Sequence, residues 1–168
     1  FVDAKWIDEM LYKDRFYQLC EEYGLDYPTT YVVSKEDYTN YELPFDYPVA
    51  LKPADSVAYL EAEFEGKQKA YIIKDKETFD KTLSNIYGSS YTGKMIVQDF
   101  IPGDDSHMRV LNVYSGRDGK VRMMCLGRPL LEDCTPTLIG NYVAIVNEYN
   151  EEIYKQYQQF LEKIGYTG

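Results

Sequence analysis

The sequence predicts an α+β fold of two lobes, and three observations support this prediction. The chain has 168 residues, of which 45% are hydrophobic and 27% charged, a composition typical of a globular protein large enough for a core. Amphipathic helical segments alternate with short apolar strand segments. Near residues 98–103 an irregular bend separates a mixed helix-and-strand half from a hairpin followed by a helix, which indicates two lobes.

The first half opens with a predicted helix and two strands. Residues 4–23 carry apolar side chains at helical spacing and stop before Gly24, which is typical of one helix with a glycine cap. Residues 30–33 and 49–52 are short apolar runs between turn residues, and both are predicted strands.

The middle of the chain is predicted to hold a polar connection, a helix and a buried strand. Residues 54–69 are polar and mixed, and we expect a strand over 56–64 with a mobile connection to 70–73. Residues 75–87 predict a helix, and residues 95–98 a buried strand. The side chains expected to face inward from this helix are Phe79, Leu83, Ile86 and Tyr87.

The second half is predicted to form a hairpin and a terminal helix. Residues 108–114 and 121–126 are strand-like, and the Asp-Gly pair between them is a strong hairpin signal. The remaining predicted elements are an irregular segment over 127–141, a strand over 142–146 and a helix over 150–164.

Charge and cysteine usage restrict the possible functions. The formal net charge of -10 argues against binding to nucleic acid or to an anionic membrane, where Lys and Arg would have to cluster. It leaves room for a nucleotide, which needs only a few lysines in one cleft. No apolar run reaches the roughly 20 residues of a membrane helix. Three cysteines without metal-ligand spacing favour reduced thiols in or near the core, and hence the cytoplasm.

Two lysines are candidate ligand residues. Lys52 ends an apolar strand and precedes Pro53, so it is poorly placed for a solvated surface. It is either an edge-strand lysine whose stem reaches water or an ammonium directed at phosphate oxygens. Lys13 lies mid-helix in the prediction, one turn before Tyr17, and most lysines in such positions are merely solvated.

The bend over residues 96–104 is a third candidate. A buried strand there runs into a polar pair, two apolar residues and Pro-Gly followed by acids. Such a bend leaves backbone N–H and C=O groups that need partners. The N1 and N6 atoms of adenine can satisfy one of each, and the acids can accept from ribose hydroxyls. The alternative is an ordinary loop between the lobes.

The order and spacing of these features resemble the ATP-grasp superfamily. Within it the chain is similar to carboxylate–amine ligases of the D-aspartate-ligase-like and carbamoyl-phosphate-synthase-like kind. The resemblance covers most of the chain and is best over residues 10–110. It implies a leading helix and strand (1–34), a first (A) ATP-grasp lobe (35–98) and a partial second (B) lobe (99–168).

The resemblance also implies roles for single residues. Lys13 and Lys52 match the lysines that contact the nucleotide phosphates, while Arg109 and Arg128 match arginines beside the phosphates or the acyl substrate. For both arginines a structural ion pair is the alternative. Among the residues that match the nucleotide site, Gln98 and Asp99 begin the hinge between the lobes, and Phe100 and Ile101 offer backbone groups to adenine. Asp104 or Asp105 matches the acid that binds ribose. Residues 54–69 fall where the family has a flexible phosphate-covering loop, but they contain only one glycine, Gly66.

The implied activity is ATP-dependent joining of a small carboxylate to an amine (or thiol) through an acylphosphate. Mg²⁺ assists this chemistry in such ligases, bound by an acid and a later Glu-x-Asn pair. We expect no such pair on a strand after Asn141, since Glu148 and Glu151 are predicted at the start of the last helix. We therefore expect an excised piece of a longer enzyme that is inactive alone, with its metal ligands elsewhere. The alternative is a non-catalytic nucleotide-binding or regulatory module.

Overall fold

A computed structural model describes residues 2–135 and 140–168, apart from the side chain of Asp105. The backbone forms two compact units. The four-stranded unit comprises residues 11–22 and 26–101, and the three-stranded unit comprises the described residues of 1–10, 23–25 and 102–168. The change of character predicted near residues 98–103 coincides with the passage from one unit to the other, between Ile101 and Pro102.

An antiparallel sheet in the order β1-β4-β2-β3 forms the four-stranded unit. Its strands are β1 (Thr30–Val33), β2 (Val49–Pro53), β3 (Tyr71–Ile73) and β4 (Met95–Asp99). Strands β2 and β3 are neighbours and consecutive along the chain, whereas the pairs β1–β4 and β4–β2 are not, and helices and loops connect the strands. The two interior strands, β2 and β4, pair along their full length, and this pairing holds Ala50 directly opposite Gln98.

Helix α4 (Lys76–Tyr87) closes one face of this sheet. The Asp75 carboxylate caps it by accepting from the Thr78 N–H at 2.8 Å. The four residues predicted to face inward from this helix are all buried. They join Val33, Val49, Leu51, Met95 and Val97, among others, in one hydrophobic core.

Four buried tyrosines extend this core, and each hydroxyl finds a partner. The hydroxyls of Tyr59 and Tyr71 are 2.7 Å apart. Tyr87 donates to the carbonyl of Val33, and Tyr91 donates to that of Lys94. A buried phenol hydroxyl needs a hydrogen-bond partner. The bond of Tyr87 thereby ties helix α4 to strand β1.

The predicted helix over residues 4–23 is two helices in the structure. Helix α1 (Ala4–Leu11) ends before Tyr12, and helix α2 (Lys13–Tyr23) begins after it. Most of α1 belongs to the three-stranded unit, whereas most of α2 belongs to the four-stranded unit. Tertiary packing therefore overrides a continuous helical pattern. Lys13 is the first residue of α2 and does not lie mid-helix.

The predicted strand over residues 56–64 is wrong. Helix α3 (Ser56–Glu61) occupies this position because the Asp55 carboxylate accepts from the N–H groups of Val57 and Ala58, at 2.9 and 3.1 Å. After the helix, the Lys67 ammonium donates to the carbonyls of Leu60 and Ala62. The connection is thus held at the end of α3.

An antiparallel sheet in the order β5-β6-β7 and helix α5 (Glu151–Ile164) form most of the three-stranded unit. The strands are β5 (Val110–Ser115), β6 (Val121–Glu132) and β7 (Tyr142–Glu148). The predicted hairpin is confirmed. Gly119 has φ +70° in its turn, a conformation that glycine adopts at little cost.

Strand β6 continues through part of the predicted irregular segment. It passes Arg128 and Pro129, and its register with β7 shifts between Pro129 and Leu131. A bulge is a position where a strand tolerates proline, which explains the difference. Strand β7 is also longer than predicted, so Glu148 lies on a strand rather than at a helix start. Residues 136–139 of the predicted irregular segment lie outside the described residues.

Helix α5 is capped at both ends. The Asn150 side chain accepts from the Ile153 N–H, and Gly165 follows in a left-handed conformation with φ +66°. Phe160 and Ile164 are buried on this helix, as is Leu126 on β6. Large apolar side chains that remain exposed on this sheet include Met123, Leu130, Leu131, Val143 and Ile145.

The cysteines differ from expectation in their burial. Cys20 on α2 is buried, but Cys125 and Cys134 are exposed, and all three are free thiols. The expectation that all three lie in or near the core therefore holds for Cys20 alone of the three. Within the described part of the chain, no helix is both long and apolar enough to cross a membrane.

Candidate functional site

Lys52 projects from the sheet face opposite the hydrophobic core. Along β2, Val49 and Leu51 belong to the core, while Ala50 and Lys52 alternate to the other face. Strand β2 pairs with β4 on one side and with β3 on the other, so it is an interior strand. The edge-strand interpretation of Lys52 is therefore wrong.

Helix α2 supplies the partner of Lys52. The Lys52 ammonium donates to the Tyr17 hydroxyl at 2.9 Å and lies 5.5 Å from the centroid of its ring. Tyr17 is one helical turn after Lys13, so both side chains lie on one face of α2. The Lys13 ammonium in turn donates to the Ser56 hydroxyl at 3.0 Å, at the start of α3.

The two ammonium groups are close enough to affect each other. Burial lowers the pKa of Lys13 from its ordinary value of 10.5, and the positive charges of Lys52 and Lys69 lower this pKa further. The Asp55 carboxylate opposes the shift but ranks below these causes. A cluster of positive charge thus persists in a chain of net charge -10. An anion bound there would relieve the repulsion.

Gln98 connects this cluster to the end of β4. Its side chain is 3% exposed and lies beside Thr30 of β1 and Ala50 of β2. The amide oxygen accepts from the Tyr17 hydroxyl at 3.3 Å, and the amide nitrogen donates to the Thr30 hydroxyl at 2.8 Å. The whole side-chain amide is engaged within the four-stranded unit.

The predicted adenine-binding bend starts where β4 ends. Asp99 is exposed, and its backbone N–H donates to the Thr29 carbonyl at 3.0 Å. Phe100 is half-buried, and the Ile101 side chain is 69% exposed. These two residues are the last of the four-stranded unit.

The other predicted site residues lie in the three-stranded unit. The exposed Asp104 carboxylate accepts from the N–H and the hydroxyl of Ser106, and these bonds lower its pKa. The side chain of Asp105 lies outside the described residues. The Arg109 Nε is 2.5 Å from a Glu148 carboxylate oxygen, which is the structural ion pair weighed as the alternative. Arg128 is half-buried on β6, opposite Val146.

The structure therefore brings Lys13, Lys52 and Gln98 into one cluster. Three members of it were not identified from the sequence: Tyr17, Thr30 and Ser56. For Tyr17 the available signal was its spacing of one helical turn from Lys13. Thr30 and Ser56 offered no local signal, because they join through contacts distant in sequence.

The Mg²⁺ implied by the resemblance finds no ligand set here. Within residues 2–135 and 140–168, no group of three or more His, Cys, Asp or Glu side chains is arranged to hold a metal ion. Such carboxylate groups are the usual ligands of Mg²⁺. The described residues therefore offer no His, Cys, Asp or Glu set that fits Mg²⁺.

A separate cleft lies on the other side of the four-stranded unit. It has a volume of about 460 Å³ and is lined by residues of β3 and α4, with Phe64 and Gly66 at one side. None of the predicted site residues lines it. The cleft is thus distinct from the lysine cluster.

Comparisons with known proteins agree with this architecture. No family model matches the chain. The chain is 55% identical to the D-aspartate ligase of Enterococcus faecium over its whole length, and it spans 41% of that protein. It is also 33% identical over 88 residues to a D-alanine–D-alanine ligase of Wolbachia pipientis, covering 52% of this chain and 25% of that protein.

Solved structures of ligases share the fold. A D-alanine–D-alanine ligase from Helicobacter pylori superposes with a TM-score of 0.62 at 12% identity, over 93% of this chain and 46% of that one. An L-amino acid ligase from Bacillus licheniformis gives a TM-score of 0.61 at 12% identity, over 95% and 35%. The chain thus spans less than half the length of these relatives. It belongs to the ATP-grasp superfamily and is similar to the carboxylate–amine ligases within it.

Proposed function

We propose that this chain is the ATP-binding part of an ATP-dependent carboxylate–amine (or thiol) ligase that works through an acylphosphate. The observation that carries the proposal is the cluster of Lys13 and Lys52. Burial and the charge of Lys52 both disfavour the Lys13 ammonium, so the apo protein holds positive charge that the fold alone does not stabilise. A nucleotide triphosphate supplies the complementary charge.

The side chains of the cluster have separate tasks. Lysine ammonium groups are compact point charges, which suit non-bridging phosphate oxygens whose charge rises as the phosphoryl group is transferred. Lys52 enters from the sheet and Lys13 from helix α2, so they approach a ligand from two elements. The backbone at Phe100 and Ile101 would bind adenine, and Asp104 or Asp105 would bind ribose.

The remaining assignments follow the relatives. A small carboxylate would receive the phosphoryl group and an amine would then displace phosphate. Since the relative at 55% identity is a D-aspartate ligase, D-aspartate is the first substrate to test. Arg128, half-buried on β6, is a candidate for the phosphates or the acyl substrate. We also propose a cytoplasmic location, where ATP is available. Mg²⁺ would be bound by residues other than those described.

A second candidate is a nucleotide-binding or regulatory module without catalysis. The engagement of Arg109 favours it, because its guanidinium contacts Glu148 and donates to the carbonyls of Ser106 and Met108. An arginine held in this way is less available to a substrate. ATP turnover with D-aspartate in a longer form of the protein would decide between the two candidates.

Isothermal calorimetry with a non-hydrolysable ATP analogue tests the phosphate site. A hydrogen bond to a charged group is worth about 1.5–3 kcal/mol, so Lys52→Ala should weaken binding about 10- to 100-fold. Lys74→Ala is the matched control, since Lys74 is an exposed lysine of the same unit. Wild-type affinity in Lys52→Ala would remove this lysine from the site.

A further inference from the structure

A chain of four hydrogen bonds begins at Lys52 of the lysine cluster, and each group in it donates to the next one along. Lys52 donates to Tyr17, Tyr17 to Gln98, Gln98 to Thr30, and Thr30 to the Pro28 carbonyl, with donor–acceptor distances of 2.9, 3.3, 2.8 and 2.7 Å. Both ends fix the direction. A lysine ammonium can only donate and a backbone carbonyl can only accept.

This direction assigns each intermediate proton. Because Tyr17 accepts from the ammonium, its own proton is free to go to the amide oxygen of Gln98. The amide nitrogen of Gln98 then faces Thr30, whose proton goes to Pro28. If the amide were turned round, the Tyr17 proton would lose this acceptor. The network therefore selects one orientation of the Gln98 amide.

The Tyr17 ring is held so that its hydroxyl cannot move far. It stacks on Tyr27, with ring centroids 5.8 Å apart and planes 19° from parallel. The Phe16 ring lies on another side, tilted relative to the Tyr17 ring, with ring centroids 6.0 Å apart. A long and flexible lysine side chain is thereby restricted in the absence of ligand, which lowers the entropic cost of binding.

We infer that Tyr17 is a positioning residue of the nucleotide site, and this inference rests on the proposed function. Its proton is already committed to Gln98, so it does not serve as a donor to phosphate. It acts through Lys52, whose ammonium it places over the face of the sheet. Through Gln98 it also links that lysine to the strand that leads into the predicted adenine-binding bend. Helix α2 therefore contributes twice, with Lys13 directly and with Tyr17 through Lys52.

Tyr17→Phe tests this inference because it removes only the hydroxyl and keeps the ring. We expect it to weaken binding of a non-hydrolysable ATP analogue about 5- to 10-fold, as measured by calorimetry on the full chain. In a Lys52→Ala background the same change should have no further effect, because the group that Tyr17 positions is gone. Tyr27→Phe removes the hydroxyl of the stacked neighbour and should bind as the wild type does.

Three outcomes would overturn the inference, and they can be told apart. If the wild type does not bind the analogue, the proposed function fails and the inference fails with it. If the wild type binds and Tyr17→Phe binds equally well, only the inference fails. If Tyr17→Phe weakens binding equally with and without Lys52, or lowers the melting temperature in parallel with affinity, Tyr17 has a general structural role and does not position Lys52.

Discussion

The two units of this chain bury apolar surface very differently. In the four-stranded unit, one sheet face and helix α4 enclose a core in which residues such as Val49, Leu51 and Leu83 are fully inaccessible. In the three-stranded unit, helix α5 buries Phe160 and Ile164, but Met123 and Val143 stay 63% and 65% exposed. One unit therefore has a closed core, and the other has an open apolar sheet face.

The two units carry different parts of the proposed site. The closed core supports the strands that carry Lys52 and Gln98, so the lysine cluster rests on the better-packed unit. The predicted ribose contact and both arginines lie in the unit whose packing is less complete. We expect the phosphate side of the proposed site to be preformed, and four predictions test the contrast behind that expectation.

The largest expected effect comes from removing a core side chain. Leu83→Ala should lower the free energy of unfolding by about 3 kcal/mol, since a fully buried leucine leaves a cavity. Leu130→Ala makes the same chemical change at a residue that is 60% exposed in the three-stranded unit, and it should cost less than about 0.5 kcal/mol. Denaturant titration measures both. Equal losses would show that the two units do not differ as described.

A turn glycine of the three-stranded unit should matter next. Gly119→Ala should cost about 1–2 kcal/mol, because φ is +70° and the new Cβ would lie 3.3 Å from the Cα of Gly165. Gly24→Ala is the control: it has the same φ of +70° but open space around it. The difference between the two melting temperatures isolates the contact. If Gly24→Ala were the more costly change, the close approach of the hairpin to α5 would not contribute.

A smaller effect on stability should follow from replacing Lys13, because the folded state disfavours its ammonium. The folded-state pKa of Lys13 is lowered, so its ammonium destabilises the fold at pH 7, and this cost disappears as pH rises above the ordinary value of 10.5. Lys13→Met keeps the apolar stem and should raise the melting temperature slightly at neutral pH, because Lys13 is only half-buried and solvent screens part of the effect. It should also weaken binding of the ATP analogue.

The pH dependence of that difference provides the check. The melting temperatures of the wild type and of Lys13→Met should converge as the pH rises above 10.5, because the lysine is then largely neutral in both the folded and the unfolded state. Lys74→Met serves as the control for an exposed lysine. A gap between Lys13→Met and wild type that stays constant across this range would contradict the charge-based explanation.

The smallest effect on stability is expected at the open sheet face. Val143→Thr combined with Met123→Gln changes side chains that are mostly in water, so the melting temperature should stay nearly the same. Exposed apolar patches favour association, and the double variant should therefore self-associate less. Light scattering against concentration measures this. A large drop in stability would mean that the face is buried in solution.

Local patterns predicted much of the fold. Helix α4, strand β1 and the Asp-Gly hairpin each depend on residues within one segment, and the structure confirms them. The break at Tyr12 depends on which unit each helix packs in. The extension of β6 depends on pairing with β7, and neither kind of information is local. The Asp55 cap of α3 was available in the sequence and was overlooked.

Some residues of the candidate site also have a local sequence signal, whereas others join it only through contacts distant in sequence. A lysine closing an apolar strand is unusual enough to identify Lys52 from the sequence alone. Tyr17 is 35 positions from Lys52 and 81 from Gln98, so its role appears only when three elements come together. One tyrosine among 18 carries no distinguishing composition signal. The roles assigned to Lys13, Lys52 and Gln98, to residues 99–105 and to both arginines all stay predictions.

Buried tyrosines such as Tyr59 and Tyr91 make ultraviolet absorption a probe of unfolding in the four-stranded unit. Burial raises the pKa of Tyr91 to about 12 and raises that of Tyr59 further. These phenols resist ionisation while folded, so their contribution to stability is complete below pH 10 and is lost as pH rises through the raised values. In an alkaline titration, exposed tyrosines should therefore become phenolates first. The near-ultraviolet absorption of these buried tyrosines should change only when the four-stranded unit unfolds.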